Sequence, residues 1–175
     1  VQVSIENFRG IARGTVHFDG HSVLVGYTNA GKSTLLEAID LVLGPERLSR
    51  RPVVDEHDFY AGDYLSAEGQ PIPLSVEVIV ADLNEEQLRH FREHIEWWDT
   101  NTKTMLAGPP VEGTGAAGVR PALRVFFRGA YDAEEDDFLG NTYFALPAPI
   151  GAGEYQTFRA SDKRKCGFLY LRTVR

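Results

Sequence analysis

Hydrophobic and polar positions alternate from Val1 to Asn7, with Val3 and Ile5 on one side and Gln2, Ser4 and Glu6 on the other, which predicts a β-strand. Phe8-Arg9-Gly10 turns the chain, and Thr15–Phe18 predicts a second short strand closed by the turn pair Asp19-Gly20. Ser22–Val25 is continuously apolar after its serine, the pattern of a buried central strand. A loop over Gly26–Gly31 leads into a predicted helix over Lys32–Leu43, with apolar Leu35, Leu36, Ile39, Val42 and Leu43 and a Gly44-Pro45 stop. Arg47–Gln70 is polar and gives weak signals.

Pro73–Ala81 predicts a strand with Val76, Val78 and Val80 on one face. Asn84–Trp98 predicts a helix, N-capped by Asp82 or Asn84, with Glu85, Glu86 and Gln87 in its first turn. Further strands are predicted over Thr102–Leu106, Ala122–Arg128, Phe138–Leu146 and Gly167–Val174, with an acidic turn at Asp132–Asp137. Glycine and proline crowd the stretch from Ala107 to Pro121, which predicts a flexible surface loop.

With 175 residues, 43% hydrophobic and 25% charged, the composition is that of an ordinary globular lobe. No apolar run is long enough for a transmembrane helix, and Val1–Ile5 has no basic segment of a signal peptide. The lone Cys166 excludes an internal disulfide and a thiolate zinc site, and is expected as a small buried hydrophobe in a cytoplasmic protein. A net charge of −7 argues against a domain that coats nucleic acid and leaves room only for local basic patches.

Gly26-Tyr27-Thr28-Asn29-Ala30-Gly31-Lys32-Ser33 fits G-x-x-x-x-G-K-[ST], the phosphate-binding loop. It follows a predicted buried strand and opens a predicted helix, as the motif requires. Successive backbone N–H groups of such a loop form an anion nest, reinforced by the positive end of the helix dipole. Gly26 and Gly31 permit close backbone approach. Lys32 is the expected partner of the β- and γ-phosphates of ATP, and Ser33 the expected ligand of Mg²⁺. Thr34 is the expected α-phosphate contact. A guanine-reading N-K-x-D motif is missing, since Asn101-Thr102-Lys103-Thr104 fails it, so the ligand is expected to be ATP and not GTP.

Two strings carry a resemblance. Ile5-Glu6-Asn7-Phe8-Arg9-Gly10-Ile11, followed by the loop and Ser33-Thr34-Leu35-Leu36-Glu37-Ala38-Ile39, resembles the N-terminus of SMC- and RecF-like ABC ATPases. Asp55-Glu56-His57-Asp58-Phe59-Tyr60 and Asp82-Leu83-Asn84-Glu85-Glu86 resemble the OLD family within that group, ATP-dependent endonucleases with an ABC-type ATPase followed by a Toprim nuclease. The resemblance implies an α/β P-loop NTPase fold: an ABC/SMC-like lobe with a mixed sheet and an antiparallel β subdomain. It makes residues 1–175 the N-terminal lobe of a longer, homodimeric ATPase that engages head to head and acts on DNA through its full-length form. It implies no membrane partner. Arg9 is carried over as a nucleotide contact, and Asn29 as the residue facing the γ-phosphate.

The rest of an ABC site is not legible. A Walker B strand needs four apolar residues before Asp-Glu. Val53-Val54-Asp55-Glu56 has two and follows Pro52, while Val78-Ile79-Val80-Ala81-Asp82 lacks the glutamate. No Leu-Ser-x-Gly signature is present, so the chain by itself is expected to bind ATP and not to turn it over. Gln156 is a candidate Q-loop residue. Arg47, Arg50 and Arg51, and Lys163, Arg164 and Lys165, are candidate DNA patches against the default of solvated charge. His90 and His94 are weighed as a metal pair against a solvated helix face, and Asp132–Asp137 as a metal cluster against a solvated turn. Of Trp97 and Trp98, one is expected on the sheet and the other at a partner surface. Two other readings stay open: a transport-type ABC subunit, and a nucleotide-binding interaction module without turnover.

Overall fold

Val3 and Ile5 do share one buried face, on the first strand of a hairpin: β1 (Gln2–Phe8) pairs antiparallel with β2 (Ile11–His17), Val3 opposite Val16. These elements are seen in a computed structural model that describes residues 1–28, 30–46, 52–110, 117–147 and 154–171. Asn29, the Arg47/Arg50/Arg51 patch, part of the 107–121 loop and the end of the strand expected to Val174 lie outside the described residues.

The other described strands are β3 (Leu74–Ala81), β4 (Ile95–Asp99), β5 (Thr104–Leu106), β6 (Val119–Asp132), β7 (Asp137–Pro147) and β8 (Tyr155–Thr157). They join one sheet in the order β2-β1-β3-β6. β4 then pairs with the first part of β6 and β7 with the rest; β5 extends β4 and β8 extends β7. Every described pairing is antiparallel, so the expected mixed sheet is, among the described residues, an antiparallel one. The sheet curls strongly. Four strand steps of about 4.8 Å would separate β2 from β4 in a flat sheet, yet the rings of His17 and Trp98 lie 6.4 Å apart.

One face carries the core. Val3, Ile5, Val76, Val78, Leu123, Val125 and Phe127 are buried there against α1 (Lys32–Leu43), which contributes Leu35, Ala38, Leu41 and Val42. Of the predicted helix stripe, Leu36 is exposed and Ile39 half-buried. Gly44 ends α1 with its N–H on the Asp40 carbonyl and an extended backbone, because Pro45 bars the residue before it from helical geometry. A Cβ at Gly44 would stand 2.5 Å from that carbonyl oxygen. The far end of α1 is held by α3 (Ala160–Cys166): the fully buried Lys163 donates from Nζ to the Leu41 carbonyl at 3.0 Å. Its charge meets the negative end of the α1 dipole. Lys163 therefore cannot serve the DNA patch expected of it, and Lys165 is paired with Glu86 at 2.7 Å.

Several expectations are overturned. Ser22–Val25 is not a strand: no described strand pairs with it, and Val23 and Val25 are 86% and 89% exposed. Its apolar run marks the chemistry of a buried strand, but burial needs partners on both edges. The helix expected to reach Trp98 stops early. α2 (Glu85–His90) is capped by Asn84 and Gln87, and the chain then turns into β4. Ile95-Glu96-Trp97-Trp98-Asp99 is β-branched and aromatic, and pairing with β6 and β5 overrides the helical spacing. His90 and His94 thus never share a helix face, and Trp98 is buried against Ile79 and Ala122 while Trp97 is half-buried. The segment Gly167–Leu171 is not a strand; the ordered element before it is α3. Val119–Pro121 belong to β6, not to the loop. Asp132–Asp137 is the β6–β7 turn, and Asp132 accepts from the N–H groups of Glu134 and Glu135. Cys166 is half-buried, and burial pushes its thiol up to about 12. Among the described residues, no helix is long and apolar enough to cross a membrane.

His94 is buried and stacks flat on Phe144, 3.7 Å between ring centroids. Burial holds it below its ordinary value of 6.5, only partly offset by a Gln156 hydrogen bond and by the charges of Glu93 and Asp162. The unfolded chain thus binds the proton more readily than the folded one. The stability tied to neutral His94 is complete above pH 6.5 and is lost as pH falls through the depressed value. Denaturant midpoints should fall between pH 7.5 and pH 5 in the native protein, and His94→Leu should flatten that slope.

Candidate nucleotide-binding site

The loop from Gly26 and the first turn of α1 surround a cavity of about 530 Å³, lined by Gly10, Thr28, Ala30, Gly31, Lys32, Ser33 and Thr34. Gly31 is the N-cap of α1 with φ 81°, a left-handed conformation that a side chain opposes. That kink lets the helix begin abruptly after the loop. The first intrahelical bond runs from the Leu35 N–H to the Gly31 carbonyl at 2.9 Å. The N–H groups of Lys32, Ser33 and Thr34 therefore have no partner within the helix and sit at its positive end. No acidic side chain occupies the first turn to compete with an anion.

Lys32 donates from Nζ to the carbonyls of Gly26 and Tyr27, both at 2.7 Å, which ties the loop across its own mouth. The Ala30 N–H reaches the Tyr27 carbonyl at 3.2 Å, a tight turn inside the loop. Tyr27 is 92% exposed and Ser33 is exposed. The loop and first turn thus place backbone donors, one ammonium and three hydroxyl residues (Thr28, Ser33 and Thr34) around a cavity, the donor set a polyphosphate needs.

The β1–β2 hairpin turn forms one wall. Gly10 lines the cavity, and a Cβ there would lie 4.0 Å from Thr34 Oγ1. Arg9 points into a neighbouring cavity that it shares with Asp55–Phe59, Ala61 and Gly62. Its Nε donates to Asp58 Oδ1 at 2.7 Å, and its guanidinium also pairs with Glu37 on α1. Asp58 and Glu37 escaped sequence reasoning. Asp58 sits in the Asp55–Tyr60 string that carried only a family resemblance, with no role assigned to it, and Glu37 is one polar position among several on a helix. Nothing local signals that a residue far along the chain closes on Arg9.

The remaining candidates lie elsewhere. Asp82 follows the last residue of the antiparallel β3 and pairs with Arg120 at 3.0 Å. Asp55 caps a 3-10 turn at Glu56–Asp58. Gln156 is on β8 against His94, away from the loop cavity. No described group of three His, Cys, Asp or Glu side chains is arranged to hold a metal.

A family model of the AAA ATPase domain matches residues 1–105, more than half of the 175 residues. The chain belongs to the AAA ATPase domain family. Curated proteins yield no match. In this AAA ATPase domain the matched span holds the β1–β2 hairpin, the phosphate loop, α1 and β3 to the start of β5. Membership makes it a nucleotide-binding ATPase domain, and the loop cavity is where its residues fit a phosphate chain.

Gly31→Ala forces a side chain into the left-handed region, at a cost of about 1–2 kcal/mol. Urea unfolding should show that loss. The same variant should also bind nucleotide more weakly, because the helix start shifts with it.

Proposed function

We propose that this chain is the ATP-binding lobe of an SMC/RecF-like ABC ATPase, and that it regulates a DNA endonuclease of the OLD type through ATP-dependent engagement of two heads. The observation that carries the reading is the phosphate loop itself, a left-handed Gly31 with free helix-start N–H groups, Lys32, Ser33 and Thr34 around one cavity. Lys32 would exchange its two loop carbonyls for the β- and γ-phosphates, and charge-assisted bonds to phosphate outweigh bonds to neutral carbonyls. The exposed Ser33 hydroxyl would hold Mg²⁺, which supplies charge neutralisation between β- and γ-oxygens. Thr34 would reach the α-phosphate, with Gly26, Tyr27, Thr28, Asn29, Ala30 and Gly31 wrapping the chain.

The exposed Val23 and Val25 of the Ser22–Val25 run support the multi-part reading. Val23 and Val25 are dressed for a sheet interior, and strands of a further ATPase half would cover them. A water-polarising carboxylate would come from that half, with the signature donors from a second head. Asp82, bound to Arg120 on an antiparallel strand, is poorly suited to that task. A Toprim nuclease in the same protein would act on the DNA, with weak or no DNA contact by this lobe.

Lys32→Ala should weaken ATP-Mg binding by about tenfold or more, the worth of a charge-assisted contact, without lowering the melting temperature. Calorimetric titration reads it, and unchanged affinity would overturn the assignment. Ser33→Ala should cost more affinity in Mg²⁺ than in EDTA, and equal losses would remove Ser33 from the metal. Steady-state assays of residues 1–175 at rising concentration should show negligible ATP hydrolysis. Turnover abolished by Asp82→Asn would refute the multi-part reading.

A further inference from the structure

Arg9 is tied more firmly than a free nucleotide contact would be. Its backbone is left-handed, φ 49°, and its N–H donates to the Asp58 carbonyl at 2.9 Å. Its side chain donates to the carboxylate of the same residue and pairs with Glu37. Asp58 is 4% exposed, and its second oxygen accepts from the Asp55 N–H at 3.2 Å. Phe59 bridges to Phe8, and Asn7 Oδ1 accepts from the Tyr60 N–H, so the 55–60 segment is stitched along the whole turn. Glu37 lies one helical turn after Ser33, on the helix that opens the phosphate loop. Arg9 thus joins three elements: the hairpin turn, the 55–60 segment and α1.

We propose that Asp58 is a positioning residue for nucleotide binding. Through Arg9 it holds the Arg9–Gly10 turn as the wall of the phosphate cavity, and Arg9 acts through that turn instead of reaching the phosphates. The proposal rests on the ATP-binding reading of the loop. The physical reason is local. A left-handed arginine is strained, so the turn keeps its shape only while a partner grips it. Asp58 grips both backbone and side chain. Glu37 transmits the position of Arg9 to α1, and Gly10 delivers it to the cavity. The guanidinium is also committed: it lies between two carboxylates, in a cavity separate from the one the loop surrounds.

The test is a titration with ATP-Mg and with ADP-Mg of the native protein, Arg9→Ala, Asp58→Asn, the double variant and Glu37→Gln. Asp58→Asn and Arg9→Ala should each weaken binding by about tenfold, the worth of one charge-assisted contact. The losses should be equal for ATP and ADP, and the double variant should lose no more than either single one. Glu37→Gln should show a smaller loss that vanishes in the Arg9→Ala background. Phe59→Leu loosens the same segment without touching Arg9, and should lower the melting temperature while leaving affinity unchanged. Losses that multiply in the double variant overturn the proposal, as does an Arg9→Ala loss confined to ATP. A Phe59→Leu loss of affinity equal to that of Asp58→Asn also overturns it, since generic loosening would then suffice. Lys32→Ala separates the two levels. If it binds as well as the native protein, the nucleotide reading fails; if it loses binding while Asp58→Asn does not, only the role of Asp58 fails.

Discussion

A phosphate loop demands that one helix begin in the open, its first N–H groups aimed at a cavity and not at protein. α1 cannot be anchored from that end, so its flank and far end must fix it. Leu35, Ala38, Leu41 and Val42 bury against Val3, Val76, Val78 and Val125 on the sheet. Each larger one contributes about 1.5–3 kcal/mol by leaving water. Lys163 closes the far end with a buried bond to the Leu41 carbonyl, which offsets part of the cost of taking its charge out of water. The hairpin turn braces the open end from the side.

The same economy governs charge. The chain carries 18 Lys and Arg against 25 Asp and Glu, and many described cations are already engaged. Arg124 makes a two-pronged pair with Glu96 and approaches Glu77, whose carboxyl burial holds above its usual range despite that arginine. Arg120 faces Asp82, Lys165 faces Glu86, and Arg9 faces Asp58 and Glu37. The exposed pairs Arg120–Asp82 and Lys165–Glu86 add little stability.

The curl of the sheet separates two chemistries. Its core face packs on α1 and leads to the phosphate loop. Its other face carries Ile79, Trp98 and Ala122 beside paired charges. Between the hairpin and α1 runs Ser22–Val25, apolar in sequence, with Val23 and Val25 exposed and Leu24 half-buried on the core, directly before the Gly26–Gly31 loop.

By itself, the sequence determined the β1–β2 hairpin, the phosphate-loop motif and α1 at the front of this protein, but not the state of Ser22–Val25 between them. The β1 alternation, the glycine and lysine spacing of the loop and the stripe of α1 are local patterns, and local sterics and burial read them the same way in any context. Asn84 likewise announces α2 through its capping box. Only the tertiary structure decided the rest. Ile95–Asp99 carries residues that suit helix or strand, and the free edge of β6 chose strand. Lys163 reads as a surface charge until α3 docks on α1. Asp58 and Arg9 stand 49 positions apart, and no local pattern records that a carboxylate from the polar excursion closes on the hairpin turn. Contacts between distant segments depend on how the sheet curls, and that is a property of the assembled strands, not of any one of them.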